Sequence, residues 1–257
     1  MILCYNFYML IDSHCHLHDK EFFSAEEAEE CLKRAHERGV EKIICIGTDP
    51  EDSIAAREFA EKYDGVYWTY GVHPSEIAKN CNKFKKDDRL VAIGEVGLDY
   101  HYEGYSREGQ IRLFEEMLQL AVDNDLPVSF HVREAFADFF PVVENFPGVR
   151  GVVHSFTNSK KVLKRILNET EFYIGVNGIA TYSTLPLPPL ERILLETDAP
   201  FLTPVPFRGI SNESGYVRCV AEWLATKLAV DLEIVERETT KNAEKLFRFD
   251  DALIPTE

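Results

Sequence analysis

Eight apolar, β-branched runs recur along this chain, each set apart from the next by a polar segment with helix or turn punctuation. They read LIDSH (10–14), VEKIICIG (40–47), VYWTYG (66–71), VAIGEVG (91–97), PVSFHV (127–132), GVVHSF (151–156), FYIGVNG (172–178) and RILLETD (192–198). Near-continuous apolar character, rather than strict alternation, marks parallel strands covered on both faces. Between them, Ser24 and Glu27 form an S-x-x-E capping box ahead of an apolar stripe at Ala28, Cys31, Leu32 and Ala35, and Gly39 closes that helix. Asp49 is an N-cap followed by Pro50 at the first helical position. Ser106 precedes a second stripe at Ile111, Phe114, Leu118 and Ala121. Eight such units in 257 residues predict an α/β fold, a single (β/α)8 TIM barrel. The alternative, an open doubly wound sheet, calls for a glycine-rich phosphate loop after the first strand, and none is present.

Two irregularities bear on the barrel's rim. The segment IATYSTLPLPP (179–189) holds three prolines, which leave little room for a helix and predict a shortened connection before strand 8. After strand 8, the long loop APFLTPVPFRGISNESGYV (199–217) leads into two C-terminal helices. The expected domain layout is an N-terminal extension at 1–9, a barrel domain at 10–250 and a tail at 251–257, with Met9 a candidate true start. The opening MILCYNFYML lacks the basic region and cleavage site of a signal peptide. No run reaches the roughly 18 apolar residues that span a membrane. Cys4, Cys15, Cys31, Cys45, Cys81 and Cys219 form no C-x-x-C pair, so reduced thiols and a cytoplasmic location are expected. The formal charge, 28 − 44 = −16, disfavours loose wrapping of nucleic acid. KFKKDDR (83–89) reads as a solvated loop, and nothing in the chain points to an obligatory protein partner.

In a barrel, the C-terminal ends of the strands converge on one mouth. Strand 1 ends with His14 and His16, whose i, i+2 spacing turns both rings to one face. Glu95 ends strand 4, His131 strand 5, His154 strand 6 and Asp198 strand 8. Any one of these alone is ordinarily a hydrogen-bonded structural residue. Six at matching topological positions point instead to a metal centre, since imidazole and carboxylate suit zinc, manganese and similar divalent ions. His36 falls in the first helix as a solvated side chain, and His18 in a loop or behind the ligands.

DSHCHLHD, GVHPSEI, AIGEVGLDYHY, PVSFHVREA, VVHSFTNS, ETDAPFL and RGISNE, in that order and spacing, resemble the motifs of the TatD family of metal-dependent deoxyribonucleases, from about residue 10 to residue 248. The resemblance implies an amidohydrolase-type TIM barrel and two divalent metal ions (Zn, Mn or Mg). It implies that His14, His16 and Asp198 hold one ion, His131 and His154 the other, and that Glu95 bridges them. No lysine stands at the end of strand 4, where related amidohydrolases often carry a carboxylated one. The implied reaction is phosphodiester hydrolysis of DNA, exonucleolytic on single-stranded or frayed ends, by a metal-activated hydroxide whose proton Asp198 accepts. His73, Arg133 and Arg208 are the implied phosphate contacts, the arginines by bidentate bonding.

The chain departs from the family after strand 8. Where the usual loop reads roughly P-H-R-G-K-R-N-E-P, this one reads PFRGISNES: Phe207 replaces a histidine, Ile210 a lysine, Ser211 an arginine and Ser214 a proline. Fewer cations predict weaker and narrower DNA binding. Phe207 is either a base-stacking or a packing residue. Two other functions remain open: hydrolysis of a small amide, lactone or phosphoester at the same centre, and a non-catalytic barrel scaffold, which the six filled positions disfavour.

Overall fold

The strand runs of the sequence become a barrel in the computed structural model, which describes residues 9–79, 84–104 and 106–249. Residues 1–8 of the expected extension (1–9) and the whole tail (251–257) lie outside the described residues, as does Lys83 of the KFKKDDR segment. The strands are β1 (Leu10–Cys15), β2 (Val40–Cys45), β3 (Val66–Tyr70), β4 (Leu90–Asp99), β5 (Val128–Arg133), β6 (Gly151–Val153), β7 (Tyr173–Val176) and β8 (Ile193–Leu195). They lie parallel in chain order within one eight-stranded sheet. β8 is only three residues long, so closure onto β1 falls to individual bonds beyond it. Ser13 Oγ donates to Leu195 O (2.9 Å), Asp198 N to His14 O (2.8 Å) and His16 N to Ala199 O (2.8 Å). Asp12, wholly buried, accepts from Thr197 N (2.8 Å) and Thr197 Oγ1 (2.7 Å). Burial lifts its carboxyl to about 7 against the pull of those bonds.

The helices are α1 (Ala25–Glu37), α2 (Pro50–Lys62), α3 (Arg107–Asp123), α4 (Phe136–Glu144), α5 (Lys160–Glu169), α6 (Val217–Leu228) and α7 (Leu232–Phe247). Their starts follow the expected chemistry. Ser24 Oγ accepts from Glu27 N (3.2 Å) while Glu27 Oε2 accepts from Ser24 N (2.9 Å), which satisfies two otherwise orphaned donors. Asp49 caps α2 through Glu51 N and Asp52 N, and Ser106 caps α3 through Gly109 N. Gly39 ends α1 with φ +80°, a conformation glycine adopts without a Cβ penalty.

Between β7 and β8 there are only single turns, Gly178–Thr181 and Leu190–Arg192, as the prolines require. A second connection, from β3 to β4, shows only the turn Pro74–Glu76 among the described residues, and residues 84–89 run there as an irregular loop. The end opposite the mouth is plugged. Ile11, Val91, Val152 and Leu194 pack with Leu246, Phe247 and Phe249 of the chain's last helical turn and beyond. No helix among the described residues is long and apolar enough to cross a membrane.

Candidate metal centre

Each candidate ligand is delivered by the C-terminal half of a strand or the residue just past it, save Asp198, which stands three residues beyond β8. Three of these exits run through left-handed backbone: Glu134 after β5 (φ 56°), Ser155 directly after His154 (φ 46°) and Asp198 itself (φ 57°). Such conformations cost energy in non-glycine residues and gather where a side chain must be aimed. In β4 the pairing with β5 slips between Ile93 and Val96, so Glu95 sits in the irregularity and not at the strand's end. The strand runs four residues further, to Asp99, past the point the apolar pattern suggests. Gly97 allows this: its φ is +148°, and a Cβ there would lie 2.0 Å from His131 O.

All six expected ligands come together. Glu95 Oε1 lies 2.6 Å from His131 Nδ1 and 2.7 Å from His154 Nε2, while Oε2 lies 3.6 Å from His14 Nε2. Asp198 Oδ1 lies 3.4 Å from His14 Nε2 and 3.5 Å from His16 Nε2. The His14 and His154 rings stack at 4.1 Å. His14, His16 and Glu95 make one compact set of ligand atoms, and Glu95, His131 and His154 another.

The outer nitrogens of these rings establish whether the inner ones are free to ligate. His16 Nδ1 faces Ile46 O at 3.2 Å, and a carbonyl only accepts, so Nδ1 carries the hydrogen and the Nε2 lone pair points inward. Asp99 Oδ2 accepts from His131 Nε2 at 3.0 Å, which frees Nδ1 in the same way. Ser129 Oγ is 3.4 Å from His14 Nδ1, and His14 Nε2 is buried with no hydrogen-bond partner. Behind His154, Glu196 Oε1 is 3.8 Å from Nδ1. A carboxylate or carbonyl that orients an imidazole from behind is the arrangement metal-ligating histidines use. An orphaned, inward-facing imidazole nitrogen beside a carboxylate is what a divalent cation satisfies. The residues fit the group.

The electrostatics agree. Burial pushes the His14 imidazole down to about 4, so it is neutral. Burial alone would also lower His154, but the charges of Glu95, Glu196 and Asp198 raise it to about 10. Burial alone would raise Glu95, yet the charge of His154 and hydrogen bonds from His131 and His154 hold it well below the usual carboxylate range. Asp198 is held low by His16, His14 and His154 against the same burial. The field that retains protons on these imidazoles equally attracts a cation that replaces them.

The cluster floors a cavity of about 600 Å³. His73 and Arg133 line it as expected. Ser75 N donates to His73 Nδ1 (3.2 Å), which leaves His73 Nε2 to carry the hydrogen, 4.0 Å from Glu95 Oε1. Burial keeps that ring neutral, its pKa lowered to about 4. Arg208 is not among the lining residues; its guanidinium lies 3.8 Å above the Tyr182 ring. Phe207 packs, its ring stacked on Tyr216 at 4.3 Å with Arg38 over the pair. Ile210 is exposed at 56%.

Sequence reasoning assigned no role to Asp99 and Glu196, although both stood in quoted motifs, four residues after Glu95 and two before Asp198. His18 is buried and pairs through Nε2 with Asp52 Oδ1 at 2.9 Å, which anchors the first turn of α2 beneath the β1 exit. His36 is exposed on α1, as expected.

A family model described as TatD related DNase matches residues 11–248. An uncharacterized metal-dependent hydrolase, YabD of Bacillus subtilis, is 35% identical over 256 residues, covering 93% of this chain and 99% of the relative. The 3'-5' ssDNA/RNA exonuclease TatD of Pantoea ananatis is 32% identical, covering 87% and 94%. Among solved structures, the TatD homolog YjjV of Escherichia coli superposes with a TM-score of 0.80 at 29% identity, covering 96% and 98%.

Proposed function

The chain belongs to the TatD related DNase family, and from that premise we propose that it is a metal-dependent hydrolase that shortens unpaired nucleic acid from its 3' end. In this reading His14, His16 and Asp198 would hold one divalent ion and His131 and His154 a second, with Glu95 the carboxylate common to both sets. The observation that carries it is the divided reach of Glu95, Oε1 towards His131 and His154 and Oε2 towards His14. A pair of such ions, when bound, lowers the pKa of water towards about 7 and offsets charge on phosphoryl oxygens.

The chain's own groups do the rest. Asp198, kept deprotonated, orients the attacking water and takes its proton. His73 offers its Nε2–H to a phosphoryl oxygen, with its tautomer fixed by Ser75. Arg133 supplies a guanidinium from the rim, within reach of Tyr102 (3.4 Å to its hydroxyl), for the neighbouring phosphate. Asp99 and Ile46 O hold the His131 and His16 rings in their ligating tautomers. The Pantoea relative's activity on ssDNA and RNA supports an unpaired substrate of either sugar. The sparse cations of the rim favour a second reading, a small phosphodiester.

The test is hydrolysis of 5'-labelled single-stranded DNA and RNA by chelator-stripped protein, before and after Mg²⁺, Mn²⁺ or Zn²⁺ is restored. The expected result is a metal-dependent ladder that shortens from the 3' end. Inertness towards both polymers with turnover of bis(p-nitrophenyl) phosphate supports the small-substrate reading. Equal activity with and without chelator contradicts both.

A further inference from the structure

The cavity's two walls differ in chemistry. On the side of β1 and β8, Phe22 and Phe201 are 47% and 46% exposed and meet edge to face with centroids 5.2 Å apart. Phe201 also lies 6.4 Å from the His16 ring, so it stands between Phe22 and the metal cluster. Both phenylalanines line the cavity that Glu95, His131, His154 and Asp198 floor. Much of the remaining lining is polar, with His73, Ser75, Glu76 and Arg133 and the carboxylates of Asp19, Asp49 and Asp52. Single exposed apolar side chains are commonplace, but two in contact beside a charged floor form a small apolar surface open to solvent at the site itself. A nucleotide is divided the same way, with a flat apolar-faced base at one end and phosphates at the other.

We propose that Phe201, braced by Phe22, is a stacking platform for an unpaired nucleobase next to the scissile phosphate; the proposal rests on the hydrolysis reading above. Charge argues for it as much as shape. Among the described residues that line the cavity Arg133 is the one arginine and no lysine joins it, and the chain carries −16 overall. Phosphate attraction, which dominates most nucleic-acid binding, is therefore weak here, and base stacking is the remaining sequence-tolerant source of affinity. Stacking on an aromatic ring contributes roughly 5- to 150-fold per base. A base inside a duplex has both faces covered by its neighbours, so only a frayed or single-stranded end offers a face to Phe201. Strand preference then follows from the platform itself.

The experiment compares kcat/KM on a 5'-labelled oligothymidylate with kcat/KM on the same strand ending in two abasic residues at its 3' end. Wild type is expected to prefer the base-bearing end by about tenfold. Phe201→Ala is expected to bring that ratio towards one, mainly through KM; Phe201→Trp to retain it; and Phe22→Ala to lower it less. Phe201→Ala with the wild-type ratio, whatever its absolute rate, overturns the platform while leaving the nuclease reading intact. A wild type indifferent to the missing bases does the same. Wild-type protein that hydrolyses neither strand overturns the nuclease reading, and the platform with it.

Discussion

The floor of the cavity and its rim are built by opposite means. On the floor, six side chains from five strand exits are buried or nearly so, and most of their outer atoms are bound to named partners such as Ile46 O, Ser129 Oγ and Asp99. On the rim, Phe22, Phe201, Tyr102 and Ile210 are exposed, and Arg208 and Arg133 lie over tyrosine rings. Strand register fixes the floor, because a one-residue slip would turn a strand's side chains to the other face and disrupt the packed barrel. Loops carry the rim and tolerate change without cost to the core. The lesson is a division of labour: the barrel specifies the chemistry, and the loops specify what reaches it.

The largest effect should come from the floor. Glu95→Ala removes the group shared by both ligand sets, and single-turnover hydrolysis is expected to fall by at least about a thousandfold with the circular dichroism spectrum unchanged. A loss below tenfold would break the comparison at its strongest point. Asp99→Asn leaves every ligand in place but weakens the hold on the His131 tautomer. Metal affinity, measured by titrating stripped protein, is expected to drop about 10- to 100-fold. On the rim, Arg133→Ala is expected to raise KM for a single strand about tenfold and to flatten the salt dependence of binding by roughly 0.7 in log–log slope, one phosphate contact's share. The smallest effect belongs to Arg208→Ala, below about threefold in KM, because Arg208 packs over Tyr182 and, unlike Arg133, is not among the residues that line the cavity. A larger change there would show that the loop after β8 swings inward over substrate.

The same division explains what could be read in advance. All eight strands and the Ser24, Asp49 and Ser106 caps were legible because period and capping are local properties of the chain. The floor was legible because a barrel sends every strand exit to one place. What lay behind the ligands was not. Asp99 was hidden because β4 outruns its apolar pattern, through a glycine whose close contact with His131 O has no local signature. Glu196 fits only because Gly175 has no Cβ, which would stand 2.2 Å from Glu196 Oε2. Phe22 and Phe201 carried no marking to distinguish them from core residues; their exposure is a property of the assembled mouth. Arg208 lies over Tyr182, 26 positions away in the chain, a contact that spacing along the sequence does not announce.

The central claim, that six residues from five strand exits form one divalent-metal centre, is tested most directly by counting metal. Chelator-stripped protein titrated with Mn²⁺ in a calorimeter should bind two equivalents. Glu95→Ala should lose both high-affinity sites, because each ligand set includes that carboxylate. Wild-type protein that takes up no metal, or a Glu95→Ala protein that binds as wild type does, would contradict the account.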